Sequence, residues 1–181
     1  TKAISIAEDP AAYGNLGLCY YLLGDFEKSA AAYRNSVRLR PTVATQWANL
    51  ADACTWAQQC RDEASAARAK AIELLQRDLA VNPKSARAHG TLAVCLAKAG
   101  RAREAATHMS EALELDPNNP SRFYQAARVA NLAGKTNDAI AWLKRAEAAG
   151  YGAFELQRDP EFAALRGTTA FKTAFNSAGA G

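Results

Sequence analysis

Tyr13-x-x-Leu16-Gly17-x-x-Tyr20, followed by Gly24-Asp25, Ser29-x-x-x-Tyr33, Ser36 and Pro41, is a skeleton that the chain writes four times. It returns 34 residues on as Trp47-x-x-Leu50-Ala51-x-x-Cys54 with Ala64, Ala71 and a delayed Pro83. A third copy reads His89-x-x-Leu92-Ala93-x-x-Leu96, Gly100, Ala105-x-x-x-Met109, Ala112 and Pro117. The fourth reads Phe123-x-x-Ala126-Ala127-x-x-Ala130, Gly134, Ala139-x-x-x-Leu143 and Ala146. Self-similarity at such a period marks one supersecondary unit that stacks on copies of itself.

The residue types explain the unit. Small residues recur at three places in each copy, such as Gly17, Ser29 and Ser36 or Ala93, Ala105 and Ala112, where two helices must approach closely. Bulky residues at helical spacing, including Tyr13, Leu16 and Tyr20 or Leu113 and Leu115, form an apolar stripe that a stack can bury and one hairpin cannot. Gly24, Gly100 and Gly134 are placed to end the first helices in a left-handed turn, and Pro41, Pro83 and Pro117 to stop the second. The expectation is an all-α stack of antiparallel helix pairs with a short helical C-terminal cap.

Composition agrees. Of 181 residues 43 are Ala, against five Val and four Ile, which favours helix over sheet. Charged residues make up 22% and hydrophobic ones 49%, the balance of a folded protein rather than a disordered tail. The net charge of +4 is interspersed, whereas a nucleic-acid binder gathers its surplus into a stripe. Nothing approaches the ~18 consecutive apolar residues of a spanning helix, so no membrane insertion of this stretch is expected.

The four copies resemble the tetratricopeptide repeat, a helix-turn-helix hairpin of about 34 residues with the pattern W-x₂-L-G-x₂-Y…A-x₃-F…P. The resemblance implies repeats over residues 10–43, 44–85, 86–119 and 120–150, stacked as a right-handed superhelical solenoid. Residues 1–9 read as the end of a preceding repeat helix, which suggests a piece of a longer protein, and the compartment stays open. The second copy is 42 residues long and lacks the Gly turn at Gln58-Gln59-Cys60-Arg61. One extra residue is assigned to its turn and seven to its second helix, which is expected to run from Asp62 to about Ala80 and project beyond its neighbours. Residues 151–181, with Phe154, Phe162, Phe171 and Phe175, are expected to lay aromatics over the last hairpin. They resemble the closing segment after such arrays in bacterial multidomain Ser/Thr protein kinases and winged-helix regulators.

No catalytic site is expected. Zinc-protease, phosphate-loop and nucleophile-elbow motifs are absent. His89 takes the bulky core position of its repeat and His108 lies beside Met109, so both read as packed or surface residues, and neither a metal nor a cofactor is expected. Cys19, Cys54, Cys60 and Cys95 show no C-x-x-C spacing and read as small buried thiols, with Cys54 and Cys60 the one pair close across a turn.

Function is then expected from a surface: a non-catalytic protein-protein interaction scaffold that holds a peptide or protein in the concave groove of its first helices. Candidate groove residues are Asn15, Leu18, Tyr21 and Leu22; Asn49, Asp52, Thr55 and Trp56; Arg87, Val94 and Lys98; and Tyr124, Gln125, Arg128 and Asn131. Trp56 or Tyr124 would anchor an apolar side chain, and Arg87, Lys98 and Arg128 would favour an acidic partner. The family's clamp for a C-terminal carboxylate falls on Gly14, Leu18, Asn49, Arg87 and Thr91 here, of which only Asn49 agrees, with Arg87 a basic substitute, so that ligand is not expected. Two alternatives stand beside this reading. A nucleic-acid-binding solenoid needs a continuous basic track, which Asp52 interrupts. A self-association element of a larger enzyme would use the long second helix of the second repeat.

Overall fold

Aspartates open both helices of the first pair, in α1 (Pro10–Leu23) and α2 (Phe26–Leu39). Asp9 is extended and accepts a hydrogen bond from the Ala11 N–H, and Asp25 accepts one from the Lys28 N–H, each satisfying a donor that the helix leaves unpaired. Ser85 and Asn119 do the same for α5 (Ala86–Lys98) and α7 (Pro120–Leu132). The remaining helices of the repeats are α3 (Ala44–Trp56), α4 (Glu63–Val81), α6 (Ala102–Leu115) and α8 (Thr136–Ala148). In this computed structural model residues 9–176 are described, and among them there is helix and turn but no strand. The expected helix end over residues 1–8 lies outside the described residues, while Asp9 belongs to the cap of α1.

The fold is therefore all-α, made of antiparallel helix pairs joined by short turns. Gly24 takes φ of +81° with nothing near enough to hinder it, and Gly100 and Gly134 make the same left-handed release. The chain falls into two compact units, one up to Leu74 and one from Leu75, with the boundary inside α4.

In the first unit α1 pairs with α2, and α2 packs on α3. A Cβ on Gly17 would sit 2.8 Å from the Tyr33 ring, so only glycine lets α2 lie this close. Ser29 Oγ donates to the Gly17 carbonyl at 2.8 Å and Ser36 Oγ to that of Pro10 at 2.8 Å, so the small crossing residues also satisfy backbone acceptors. Around them Tyr33, Val37, Leu50, Cys54 and Cys60 form one core. Leu16 stays exposed, as does Leu115 in the other unit.

The eight-residue insertion divides differently from expectation. The α3–α4 connection, residues 57–62, is three residues longer than the α5–α6 one, and α4, at 19 residues, is five longer than α6. A covalent bond explains why the helix starts late. A disulfide joins Cys54 to Cys60 and closes the turn, whose Gln58 and Gln59 N–H groups both donate to Glu27 Oε1 at 2.8 and 3.1 Å. Where the other pairs turn on glycine, this one is stapled. Arg34 and Glu63 then make a two-pronged contact from α2 to the first turn of α4.

In the second unit α5 pairs with α6 and α7 with α8, while α7 packs on α5 and α6. Ala105, Ala112, Ala139 and Ala146 are fully buried at the crossings. The C-terminal segment forms α9 (Ala153–Arg158), a 3-10 turn (Pro160–Phe162), α10 (Ala163–Arg166) and α11 (Thr169–Asn176). Leu156, Phe162 and Leu165 are buried against Ala127, Ala130, Ile140 and Leu143, and Phe171 and Phe175 pack on the same cluster. Phe154 departs from the expectation: it stays half exposed beside the Arg158 guanidinium.

Closing a loop of this length restricts the unfolded chain by about 2 kcal/mol. Reducing the disulfide, or replacing Cys60→Ser, is expected to lower the unfolding free energy of the chain by about that amount in urea titration. An unchanged midpoint would assign the turn to Glu27 alone.

Candidate functional site

Two of the three cations expected to greet an acidic partner, Lys98 and Arg128, already hold one within the second unit. Asp159-Pro160-Glu161-Phe162 folds as a tight turn, with Pro160 at its first position and the Glu161 N–H donating to Asp159 Oδ1 at 3.0 Å. This turn lies against the face of α5 and α7. Glu161 Oε1 pairs with Lys98 Nζ, its Oε2 accepts from Arg128 Nε at 3.0 Å, and its backbone carbonyl accepts from Asn131 Nδ2 at 2.9 Å. The Lys98 and Glu161 side chains are only 5% and 6% exposed, so these charges interact largely out of water. Asp159 Oδ2 accepts a hydrogen bond from the Tyr124 hydroxyl, and the Asp159 carbonyl accepts from Arg166 at 2.9 Å. One carboxylate, that of Glu161, thus meets two side-chain cations, while the Asp159 carboxylate takes the Tyr124 hydroxyl and Phe162 is buried edge-on to Tyr124.

Tyr124 is partly buried beneath the turn. Tyr151 stacks on it at 4.3 Å between ring centroids, and Arg128 lies 6.0 Å from its centre. Burial first, and the Asp159 carboxylate second, push its hydroxyl well above the ordinary phenol range. Burial likewise pushes Tyr151 up to about 12.

Among the other candidate residues, Arg87 is exposed. Gln125 is partly buried, its Nε2 donating to Thr91 Oγ1 at 3.4 Å, and its side chain presses on Gly90, where a Cβ would collide with it. In the first unit Asn15 and Leu18 are exposed, Asn49, Asp52, Thr55 and Leu22 partly buried, and Tyr21 buried against Phe26. Val94 is buried in the second unit. Trp56 is 38% exposed and lines, with Leu23, Phe26, Glu27 and Gln58, an open notch of about 390 Å³.

Two models described as tetratricopeptide repeat match residues 10–43 and 64–122. The chain is built of tetratricopeptide repeats. Among solved structures it is similar to TTC0263, a thermophilic TPR protein of Thermus thermophilus, at 20% identity and a TM-score of 0.55, over 94% of this chain and 84% of that one. It is also similar to PilW, a widely conserved type IV pilus biogenesis factor, at 18% identity and a TM-score of 0.53, over 93% of this chain and 84% of that one. Both likenesses concern the fold. No curated protein matches the chain. No helix among the described residues is long and apolar enough to cross a membrane.

Numbered within the tetratricopeptide repeats, Lys98 and Trp56 occupy one position, thirteenth in their copies, and Arg128, Asp52, Leu18 and Val94 share the ninth. The repeat frame located Lys98 and Arg128 but missed Asp159 and Glu161, which lie outside it. It also missed a group of ligand-type atoms. His89, His108 and Glu111 bring one such atom each within 4.8 Å of the others, as do Cys54, Cys60 and Glu63, where the disulfide has already taken both thiols. The signal for the first group was its placing at fourth, twenty-third and twenty-sixth positions, which hold Phe123, Trp142 and Arg145 in the last repeat.

Removing one member of a buried charge cluster leaves the rest uncompensated. Glu161→Ala is expected to cost about 3 kcal/mol in urea unfolding, against less than about 0.5 for Lys144→Ala on the exposed side of α8. The tyrosines give a pH signature. A phenol raised in the folded chain ionises first in the unfolded one, so its contribution is whole below about pH 10 and is lost as the pH rises further. The unfolding midpoint is expected to fall as the pH rises from about 10 toward about 12, and to fall less in Tyr124→Phe; equal losses in both chains would count against this assignment.

Proposed function

We propose that the chain is a non-catalytic protein-interaction module, a regulatory part of a larger protein, which reads a short acidic segment with an aromatic anchor on its first helices. The observation that carries this is the seat of Asp159–Phe162 on α5 and α7: cations for the carboxylate, an amide for the backbone and an aromatic wall for the anchor. These are the contacts by which helical repeats hold peptides. The chain's own segment is tethered, so it occupies the seat at high effective concentration, and a partner must displace it.

The first unit offers a different ligand chemistry. At the positions matching Lys98, Arg128 and Asn131 it has Leu22, Asp52 and Thr55, which give no cationic pair. Its opening is the Trp56 notch, suited to one apolar side chain of a partner. The alternative of a nucleic-acid-binding track is weakened because Lys98 and Arg128 are paired with Glu161.

The test uses the full chain carrying Glu161→Ala and Phe162→Ala, which loosen the resident turn, and a labelled peptide of residues 158–166. Saturable binding at tens of micromolar or tighter is expected, abolished by adding Arg128→Glu, with helical content unchanged throughout. No saturable binding by a folded double variant would contradict the reading.

A further inference from the structure

We propose that His89, His108 and Glu111 form a binding site for a late first-row divalent metal ion, zinc in the first instance. The site lies within the third repeat, with His89 on α5 and the other two ligands one turn apart on α6.

The proton count argues for it. His89 Nε2 lies 2.9 Å from the Pro83 carbonyl oxygen. That oxygen can only accept, so Nε2 carries the hydrogen. The second repeat makes the same bond at the same position, where Trp47 Nε1, which can only donate, reaches the Pro41 carbonyl at 2.8 Å. In the neutral ring His89 Nδ1 is therefore a lone pair. It faces Glu111 Oε2 at 2.8 Å and His108 Nδ1 at 2.9 Å, and those two are 3.4 Å apart. An ionised carboxylate brings no proton and a neutral His108 at most one, so three acceptor atoms converge with at most one hydrogen among them. A cation resolves that opposition.

The geometry fits a small ion. Ligand atoms around tetrahedral zinc lie ~3.3 Å from each other, and on either face of a triangle with these edges one point lies about 2.1 Å from all three atoms. The bond from His89 to a backbone carbonyl is the usual orienting partner of a metal-bound imidazole. Two nitrogens and one oxygen suit zinc, nickel or cobalt rather than calcium or magnesium. Access is from one side: the side chains are 9% exposed at His89, 27% at His108 and 44% at Glu111, which leaves room for a fourth ligand from solvent. In the fourth repeat the same three positions serve packing instead, with Phe123 stacked on Trp142 and the Arg145 guanidinium 4.3 and 4.4 Å from the two rings. The third repeat has ligand-type residues at all three.

The experiment is calorimetric titration of Zn²⁺ into the full chain, with Co²⁺ absorption to separate nitrogen and oxygen ligands from thiolate. One equivalent is expected to bind with micromolar or tighter affinity and without a thiolate band, and to raise the melting temperature. His108→Ala, at a partly exposed position, is expected to weaken binding by about 100-fold and Glu111→Gln by about tenfold, while Cys19→Ser leaves it unchanged. Either no binding at saturating Zn²⁺, or affinity unaltered in a folded His108→Ala chain, would overturn the site and leave the three groups as a proton-bridged cluster.

Discussion

Paired helices in this protein approach so closely that nothing larger than a methyl or hydroxymethyl group fits at the crossings, and the other features follow from that limit. Gly17 admits the Tyr33 ring because it has no Cβ, and Ala105, Ala112, Ala139 and Ala146 are wholly covered. Close contact fixes each helix in rotation as well as distance, because ridges and grooves can mesh in few ways. Residues at equal places in successive repeats of a unit therefore present themselves to the same side. That is why Lys98 from one repeat and Arg128 and Asn131 from the next can grip a single glutamate.

The pattern of the helices was legible because it is local. Small, bulky, left-handed and stop positions recur within one hairpin, and each has a direct backbone consequence. The division of the insertion in the second repeat was not legible, since a helix could start at Asp62 as readily as at Glu63 until the Cys54–Cys60 link and the grip of Glu27 on Gln58 and Gln59 are considered. Those contacts span residues that periodicity does not connect. Phe154 shows the converse error: an aromatic in a capping segment is not thereby a buried one, and Leu156 takes that place in the cluster.

The same distinction separates what could and could not be read about the site. Lys98, Tyr124, Arg128 and Asn131 stood out because the repeat frame says which first-helix positions the core does not use. Their partner, Glu161, is 33 residues beyond Arg128 in a segment without periodicity, and its acidic character became meaningful only beside the two cations. Taken one at a time, His89 and His108 look like a packed and a surface histidine. Only their shared closeness to Glu111 gives them a joint chemistry.

The central claim is that the first-helix face of the second unit recognises an acidic segment through directed charge pairing and not merely through apolar covering. A double-mutant cycle on Arg128 and Glu161, each replaced by Ala singly and together and followed by urea unfolding, measures that pairing directly. The account predicts a coupling of about 1.5 kcal/mol or more, as for close and enclosed charge pairs. A coupling below about 0.3 kcal/mol would mean that the two side chains contribute independently, and that the segment is held by Phe162 and its apolar neighbours alone.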